Sequence, residues 1–564
     1  MINIGDHKQI PLFDPWGHLG EKCRKLIDDS WAGIFQREIL PDLPVNKLFK
    51  YFSSSNGRPT KDLHTVIGVL IFQQAFDLTD QETVIQLATN IQWHYALNIF
   101  NPSDAAAYMS LKTLWNNRNL ILSNELDKVI FNSITEKLAS AFGVETTQQR
   151  LDSVHIKSNM RKLGRIGIFS ESIHGFLNIV NKKYPVQFGT IDEEIVNRYH
   201  SEKAVGCFSR VKPSESSKTL DTVSSDLNKL VIQFENDTEI CKIKSYKILK
   251  RVLSEQCNVV ENVATPKDKK EIASDSLQNP SDPDATYSGH KGQGFQAQIM
   301  ETYTEDKQET DLNLITYVEV EPAHKSDSNA LIPALESVEE QKMLPEVVLA
   351  DTLYGSDDNT RKANEMNVDI VSPVMGGSKE SPLQLFNLSG NVTIESCAQG
   401  HTPVKTRSKN EKHGASFNSE TCNQCPMKEK CPAKAGKKYH YVNYSDKDLR
   451  ISERRLYEES PEFKDKYRYR SGVEATMSQY DRRTGVKHLR VRGLKSVRYC
   501  AVMKATAVNI FRAAMVRIAR NRAFPGSLSI NFSPKLFIKI FKELFAFFEP
   551  YLFYKRLTTY EYDS

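Results

Sequence analysis

The sequence predicts a multidomain α/β protein, in which a mixed sheet with flanking helices carries two insertions and follows an all-helical N-terminal domain. Three observations lead to this prediction. The chain has 564 residues, enough for about three or four domains. Its first part shows helical hydrophobic periodicity, whereas strand and helix patterns alternate further on. A polar stretch and a cysteine-rich stretch interrupt the second part.

The N-terminal domain, residues 1–140, is predicted to be helical. Thr60 is a plausible cap for a helix with an apolar stripe, and the sequence TDQE at 79–82 is a capping box that opens the next helix. The two helices are joined by a short turn, which suggests a helix-turn-helix-like module. Most such helix pairs are only packing units, so this signal is weak by itself.

Two acidic residues lie on predicted strands. Asp152 is in phase with apolar Val154 in a short strand, where a carboxylate is costly unless it is paired or binds a metal. Asp351 ends the apolar run EVVLAD (346–351), which is typical of a buried parallel strand. An Asp at such a point also commonly caps the following turn, and this alternative stays open.

A third acid, Glu474, lies on a predicted helix. Tyr467, Arg470 and Glu474 are spaced i, i+3 and i+7, so they share one helix face. Arg470 and Glu474 alone are also compatible with a surface ion pair that stabilises the helix by about 0.2–0.5 kcal/mol. Such a pair would carry no function.

The order of the elements relates the three acids to one another. The predicted order is strand, strand, strand, helix, strand, helix, strand and helix, with the acids on the first strand, after the fourth strand and on the late helix. This is the ribonuclease-H-like order. We therefore predict one catalytic domain composed of residues 145–160, 286–375 and 446–520.

Around these acids the chain resembles the DDE transposases of bacterial insertion sequences. The resemblance rests on LDSVHIKSNM around Asp152, ADTLYGS around Asp351 and the Tyr-x2-Arg-x3-Glu pattern that ends at Glu474, and it extends over about residues 45–520. It implies that the three acids are catalytic and bind metal for cutting and joining DNA. The resemblance implies two metal ions. Oxygen ligands favour Mg²⁺, for which Mn²⁺ is a substitute.

Basic residues are concentrated after the Glu474 helix. Residues 461–524 contain 16 Lys and Arg against 4 Asp and Glu, whereas the whole chain has a net charge of only +5. A solvated helix face is the simpler explanation, but the position favours contacts to DNA phosphates. In the related enzymes a basic residue usually follows the Glu by seven positions, where this chain has Asp481. The predicted DNA-binding residues are Tyr467, Arg470, Arg482, Arg483, Lys487, Arg490, Arg492 and Lys495.

Two insertions interrupt the catalytic domain. The first, residues 161–285, mixes helical stretches with a polar connector that we expect to be flexible. The second, residues 376–445, contains four cysteines spaced C-x24-C-x2-C-x5-C, which are Cys397, Cys422, Cys425 and Cys431. Four soft ligands suit a structural Zn²⁺ site, with His401 and His413 as alternative ligands. Unligated reduced thiols are the next interpretation.

The C-terminal tail, residues 521–564, is amphipathic and too polar to span a bilayer, so no membrane partner is expected. The odd cysteine count and the absence of a signal peptide indicate a reducing cytoplasm, with the protein near the nucleoid. The resemblance implies that a homodimer binds the element's terminal inverted repeats and target DNA. Two alternatives are a catalytically inactive, transposase-derived DNA-binding protein and a ribonuclease-H-like nuclease that cuts without joining.

Overall fold

The computed structural model describes residues 1–9, 12–200, 211–376, 382–389 and 392–523. Residues 524–564, most of the predicted amphipathic tail, lie outside this description. The described chain is a mixed α/β structure, as predicted. None of its described helices combines the length and the apolar character that crossing a membrane requires.

The N-terminal region is helical up to residue 142, which confirms the prediction. Its helices are α1 (Glu21–Asp28), α2 (Trp31–Ile34), α3 (Leu63–Ala75), α4 (Asp80–Thr89), α5 (Ile91–Ala96), α6 (Asp104–Ala107), α7 (Leu111–Ser123) and α8 (Leu126–Phe142). The predicted capping box between Thr79 and Glu82 is present at the start of α4. The predicted cap at Thr60 is wrong by two residues, because α3 is capped by Asp62, which accepts a hydrogen bond from the amide of Thr65.

The N-terminal helices are not separate from the rest of the molecule. Helix α3 is buried along its whole length, so it has no free face for reading DNA. Its residues share one hydrophobic core with residues of the central sheet and of the last described helix. In the same region the side chain of Lys504 is only 1% exposed, and its Nζ atom lies 2.8 Å from Oδ1 of Asp77 in the turn after α3. The N-terminal helices and the central sheet therefore belong to one continuously packed body.

The remaining elements alternate between strands and helices. The strands are β1 (Gln148–Lys157), β2 (Cys257–Val260), β3 (Val263–Pro266), β4 (Thr286–Ser288), β5 (Gly292–Thr302), β6 (Ile315–Pro322), β7 (Val347–Ala350), β8 (Asp369–Val371), β9 (Phe386–Ser389), β10 (Thr393–Cys397), β11 (Lys405–Lys409), β12 (Lys412–Asn418), β13 (Lys434–Ala435) and β14 (Tyr439–Ser445). The helices are α9 (Arg165–Lys183), α10 (Pro185–Phe188), α11 (Glu193–Tyr199), α12 (Ser216–Phe234), α13 (Lys244–Gln256), α14 (Leu331–Glu340), α15 (Asp357–Glu365), α16 (Ser419–Asn423), α17 (Asp446–Glu459), α18 (Pro461–Tyr467), α19 (Gly472–Thr484) and α20 (Leu494–Ala523).

The central sheet has the order β6–β5–β1–β7–β8, and β4 pairs with the start of β5. Strands β1, β7 and β8 are parallel, whereas β5 is antiparallel to both β1 and β6. Side chains alternate along β1, so Leu151 packs with α14 and α15 on one face and Val154 packs with α19 and α20 on the other. The element order predicted from the sequence is therefore present.

The first insertion contains helices α9 to α13 and has a hydrophobic core of its own, which includes Phe169, Phe176 and Leu249. The polar segment that follows these helices is anchored, although its composition predicts flexibility. Leu277 is fully buried within that core, and the side-chain amide of Asn279 donates to the carbonyl of Arg161 at 2.7 Å.

The second insertion forms the small sheet β11–β12–β14–β13 beside the hairpin β9–β10. Its core consists of apolar side chains such as Phe417 and Val442. Strand β14 leads directly into α17, whose first turn is closed by a capping box between Ser445 and Asp448. Helix α17 then returns to the central sheet, so the insertion is joined to the region of the predicted acids.

Candidate active site

Two of the predicted acids lie side by side on neighbouring strands, Asp152 in the middle of β1 and Asp351 directly after the end of β7. Strands β1 and β7 pair in parallel with Leu151 opposite Ala350, so the next residues, Asp152 and Asp351, are adjacent at one edge of the sheet. Burial raises the pKa of Asp152, the guanidinium of Arg470 lowers it, and the charge of Asp351 raises it further. Two carboxylates that repel each other in this way fit a site for a divalent cation.

Arg470 connects this pair to the third acid. Its Nη2 atom lies 3.0 Å from Oδ2 of Asp152, and its Nη1 atom lies 3.6 Å from Oε1 of Glu474. The Asp152 side chain is 16% exposed and the Glu474 side chain is 71% exposed. The structure therefore brings Asp152 and Glu474 to one arginine, with Glu474 on the solvent side.

The helical segment that carries Tyr467, Arg470 and Glu474 is interrupted once. Tyr467 ends α18, Arg470 lies in a 3₁₀ turn, and Glu474 lies in the first turn of α19. The ring of Tyr467 stacks on Phe463 with centroids 5.3 Å apart and 16° between the ring planes. The tyrosine is thus half-buried against its own helix and supports the turn that carries Arg470.

The loop that carries Asp351 is held at several points. Asp351 caps the turn, since its Oδ1 accepts a hydrogen bond of 2.7 Å from the amide of Leu353, and its carbonyl accepts one of 2.6 Å from the hydroxyl of Ser372. Arg454 on α17 donates to the carbonyls of Gly355 at 3.0 Å and Ser372 at 3.3 Å. Asp351 therefore caps the turn that follows β7 and also lies next to Asp152.

Gly355 is needed because the chain passes very close to it. A Cβ atom at this position would lie 2.0 Å from the carbonyl oxygen of Pro373 and 2.6 Å from the hydroxyl of Ser372. We expect Gly355→Ala to lower the free energy of unfolding by about 1–3 kcal/mol through this overlap. Urea denaturation measures the change. Gly289→Ala, at a glycine with open space around it, is the control, and equal stability of the two variants would contradict the prediction.

A buried ionic network fixes the helix of Glu474 to the sheet. Glu301 on β5 is fully buried and accepts hydrogen bonds from Arg150 at 2.7 Å, from Arg512 at 3.0 Å and from the hydroxyl of Thr476 at 2.6 Å. Thr476 lies two residues after Glu474 on α19. The network joins β1, β5, α19 and α20, and the sequence gives no sign of it apart from one acid in an apolar run.

A fourth acid, Asp327, lies near the triad and raises the pKa of Asp152 by its charge. Its carboxylate accepts hydrogen bonds from Gln298 at 2.8 Å and from the hydroxyl of Ser153 at 3.1 Å, and Lys291 lies 3.5 Å away. Ser153 and Asp152 point to opposite faces of β1 because they are consecutive. Asp327 is therefore part of the supporting network on the other face of the sheet.

The predicted DNA-binding residues from Arg482 onward form a surface segment, residues 482–495, which runs from the last turn of α19 to the start of α20 and which we call the basic track. Its backbone is fixed to β1, because the amide of Lys157 donates to the carbonyl of Lys487 at 3.0 Å. Asp481 accepts a hydrogen bond of 3.1 Å from the amide of Lys487, so this acid holds the turn after α19. The arginine and lysine side chains exposed along the track are those of Arg482, Arg483, Arg490, Arg492 and Lys495.

The four cysteines of the second insertion line one cavity of about 280 Å³. Burial raises the pKa of the Cys422 thiol, and the thiols of Cys431, Cys397 and Cys425 raise it further. His401 also lines the cavity, whereas His413 is hydrogen-bonded to Asp446 and Ser408.

The cavity also contains a histidine that sequence reasoning missed. His440 is 4% exposed, lines the cavity, and has no hydrogen-bond partner for either ring nitrogen within the described residues. A buried polar group without a partner is costly. The single signal in the sequence is the proximity of His440 to Cys431, nine residues earlier.

A different trio of potential metal ligands lies in the N-terminal region. Among the described residues, the side-chain ligand atoms of His7, Asp62 and His64 lie within 4.8 Å of one another. Gln36 donates to Asn98 at 2.8 Å, and the amide nitrogen of Asn98 faces Nδ1 of His7 at 3.4 Å. Because the amide nitrogen of Asn98 can only donate, Nδ1 of His7 accepts a hydrogen bond and carries no proton in this arrangement. The ring proton of His7 therefore lies on Nε2, which faces Asp62. The trio is therefore a hydrogen-bonded support for the start of α3.

Comparisons with known protein families identify two regions. A family model described as "Transposase DDE domain" matches residues 396–514, and one described as "Transposase domain (DUF772)" matches residues 17–120. No curated protein matches the chain. The first match includes the four cysteines, Arg470, Glu474 and the basic track, but it begins after Asp152 and Asp351. The second match covers most of the N-terminal helices.

Proposed function

We propose, for a chain that belongs to the DDE transposases of insertion sequences, that Asp152, Asp351 and Glu474 are the catalytic acids for cutting DNA strands and joining them to a target. The observation that carries this proposal is the contact of Arg470 with both Asp152 and Glu474, next to the strand end that holds Asp351. The sheet order β6–β5–β1–β7–β8 supports a ribonuclease-H-like catalytic domain.

The three acids offer only carboxylate oxygens, and this donor set fits two Mg²⁺ ions, with Mn²⁺ as a substitute. When bound, such ions supply Lewis-acid activation of the attacking oxygen and stabilisation of the leaving oxygen at phosphorus. Arg470 orients the carboxylates of Asp152 and Glu474, since its planar fork contacts both. No side chain of the protein acts as a nucleophile in this proposal.

The basic track binds the phosphates of the DNA strand next to the acids. Its four exposed arginines and Lys495 are placed on a backbone that is hydrogen-bonded to β1, the strand of Asp152. The N-terminal region recognises the element's end sequences, and two copies act as a homodimer on paired ends; both statements rest on the family. Because α3 is buried, the DNA-contacting surface of that region lies on its other helices.

The test of this proposal uses the purified full-length protein, Mg²⁺ and labelled duplexes that carry the DNA flanking the coding region. Nicked element ends joined to a target duplex are the expected products. Binding without cleavage would favour the inactive DNA-binding protein, and nicks without joined products would favour a nuclease. EDTA is the control that removes the metal ions.

We also propose that the cysteine cavity binds one structural Zn²⁺ ion through four ligands drawn from the four thiols and His440. The convergence of Cys397, Cys422, Cys425 and Cys431 on one cavity and the unpartnered His440 support this site. The ligand atoms of the four cysteines and His440 do not all lie within 4.8 Å of one another, so holding zinc would require these side chains to come closer together. Zinc thereby stabilises an insertion with a small core.

We expect purified protein to contain one zinc ion per chain, measured by elemental analysis, and Cys422→Ser to lower this content and the melting temperature. His440→Ala is expected to weaken zinc retention against a chelator without removing the four thiols. Cys23→Ser, at an exposed cysteine outside the insertion, is the control. Equal zinc content in the wild type and Cys422→Ser would contradict the proposed site.

A further inference from the structure

A wide groove opens on the first insertion. It is lined mainly by residues 161–171 at the start of α9, residues 216–221 at the start of α12 and residues 266–269 after β3. Its volume is about 940 Å³, and it is open to solvent. We call it the insertion groove.

The groove carries cations that are free to bind a ligand. Within the described part of the chain, the exposed side chains of Arg161, Lys162 and Lys269 form neither an ion pair nor a hydrogen bond. Arg165 and Lys267 add two further cations to the lining, although these side chains already donate to the protein. Three acids, Glu171, Asp221 and Asp268, also line the groove, so its five cationic side chains exceed its acids by two.

The start of α9 adds to this preference for anions. Helix α9 has 19 residues, and Gly164, its N-cap, provides no side-chain hydrogen bond. The amides of the first helical turn are therefore free of a capping side chain, and the positive end of the helix dipole faces the groove lining. This contribution supplements the cationic side chains and does not create the site alone.

The basic track leads to this groove. The side-chain amide of Asn159 donates to the carbonyl of Arg490 at 3.1 Å, and the amide of Gly493 donates to Asp282 of the first insertion at 3.0 Å. Arg161 follows Asn159 by two residues, so their Cα atoms lie at most about 7 Å apart. A DNA backbone on the basic track therefore needs little additional length to reach Arg161 and Lys162.

We propose that the insertion groove binds phosphates of the DNA duplex backbone as an extension of the basic track, with Arg161, Lys162 and Lys269 as the contacting side chains. This inference rests on the proposed function, because it extends the DNA path of the same enzyme. It gives the first insertion a binding role in place of the connector role that its sequence indicates.

The test measures how DNA affinity depends on salt. Each phosphate contact contributes about 0.9 to the slope of log K against log salt concentration, whatever the DNA sequence. We expect the full-length double variant Arg161→Ala and Lys162→Ala to bind a long mixed-sequence duplex with a slope smaller by about 1.8. Both residues are exposed, so the melting temperature should stay at the wild-type value.

The matched control is the double variant Lys182→Ala and Lys183→Ala. These lysines are exposed at the C-terminal end of α9, about 27 Å from the start of the helix, and their replacement removes the same charge as the groove variant does. The control should keep the wild-type slope. Equal slopes for the wild type and the groove variant would overturn the inference, as would equal losses in both variants. A wild-type chain that binds no DNA would overturn the proposed function as well.

Discussion

Replacing Glu474 with Gln is expected to abolish the proposed strand cleavage by the protein and to leave its folding and DNA binding unchanged. The Glu474 side chain is 71% exposed, and its ion-pair partner Arg470 lies 3.6 Å away, so the pair contributes little to stability. Loss of a metal-binding carboxylate removes several kcal/mol of transition-state stabilisation, and about 4 kcal/mol corresponds to a thousandfold lower rate. The nicking rate, the DNA affinity and the melting temperature together check this result.

The control for this prediction is Glu459→Gln. Glu459 is an exposed glutamate at the end of α17, and its replacement makes the same change in charge and shape. Asp351→Asn should have the same effect as Glu474→Gln, because asparagine keeps an oxygen for the hydrogen bond from the amide of Leu353 but loses the charge. A Glu474→Gln enzyme that cleaves at the wild-type rate would exclude Glu474 from the metal site.

Replacing Glu301 with Ala is expected to lower the free energy of unfolding by about 3–5 kcal/mol, a large part of the stability of an ordinary domain. Arg150 and Arg512 are only 11% and 12% exposed, and both would lose their buried counter-charge. Thr476 would lose the acceptor of its 2.6 Å hydrogen bond. Urea denaturation followed by circular dichroism measures the loss.

Glu309→Ala is the control for this substitution, since Glu309 is an exposed glutamate between β5 and β6. Glu301→Gln keeps an acceptor for Thr476 but lacks the charge, so its stability should fall between those of the wild type and Glu301→Ala. If Glu301→Ala and Glu309→Ala unfold at the same urea concentration, the buried network does not anchor α19 as we infer.

The features that the sequence predicted well are those determined by neighbouring residues. The capping box of Thr79 and Glu82 depends on two side chains three positions apart, and it is present. The apolar run before Asp351 predicts a strand because burial on both faces requires such a run. The alternation of side chains around Asp152 likewise predicted that its carboxylate lies on the same face of β1 as the side chain of Val154.

The features that the sequence missed depend on residues far apart in the chain. Glu301 is separated by 151 residues from Arg150 and by 211 from Arg512, so no local pattern marks it as the centre of a network. Thr60 and Asp62 are both good capping residues, and the choice of Asp62 follows from its contact with the N-terminal segment, where the amide of Gly5 donates to it at 2.7 Å.

By itself the sequence determined the order of strands and helices, the candidate acids and the position of the basic residues, because periodicity, capping and composition act over a few neighbouring positions. Only the tertiary structure decided that Arg470 contacts both Asp152 and Glu474, and that the N-terminal helices share a core with the sheet. It also revealed the insertion groove beside the basic track. These features arise when distant segments pack together, and burial and charge pairing are then set by the fold as a whole.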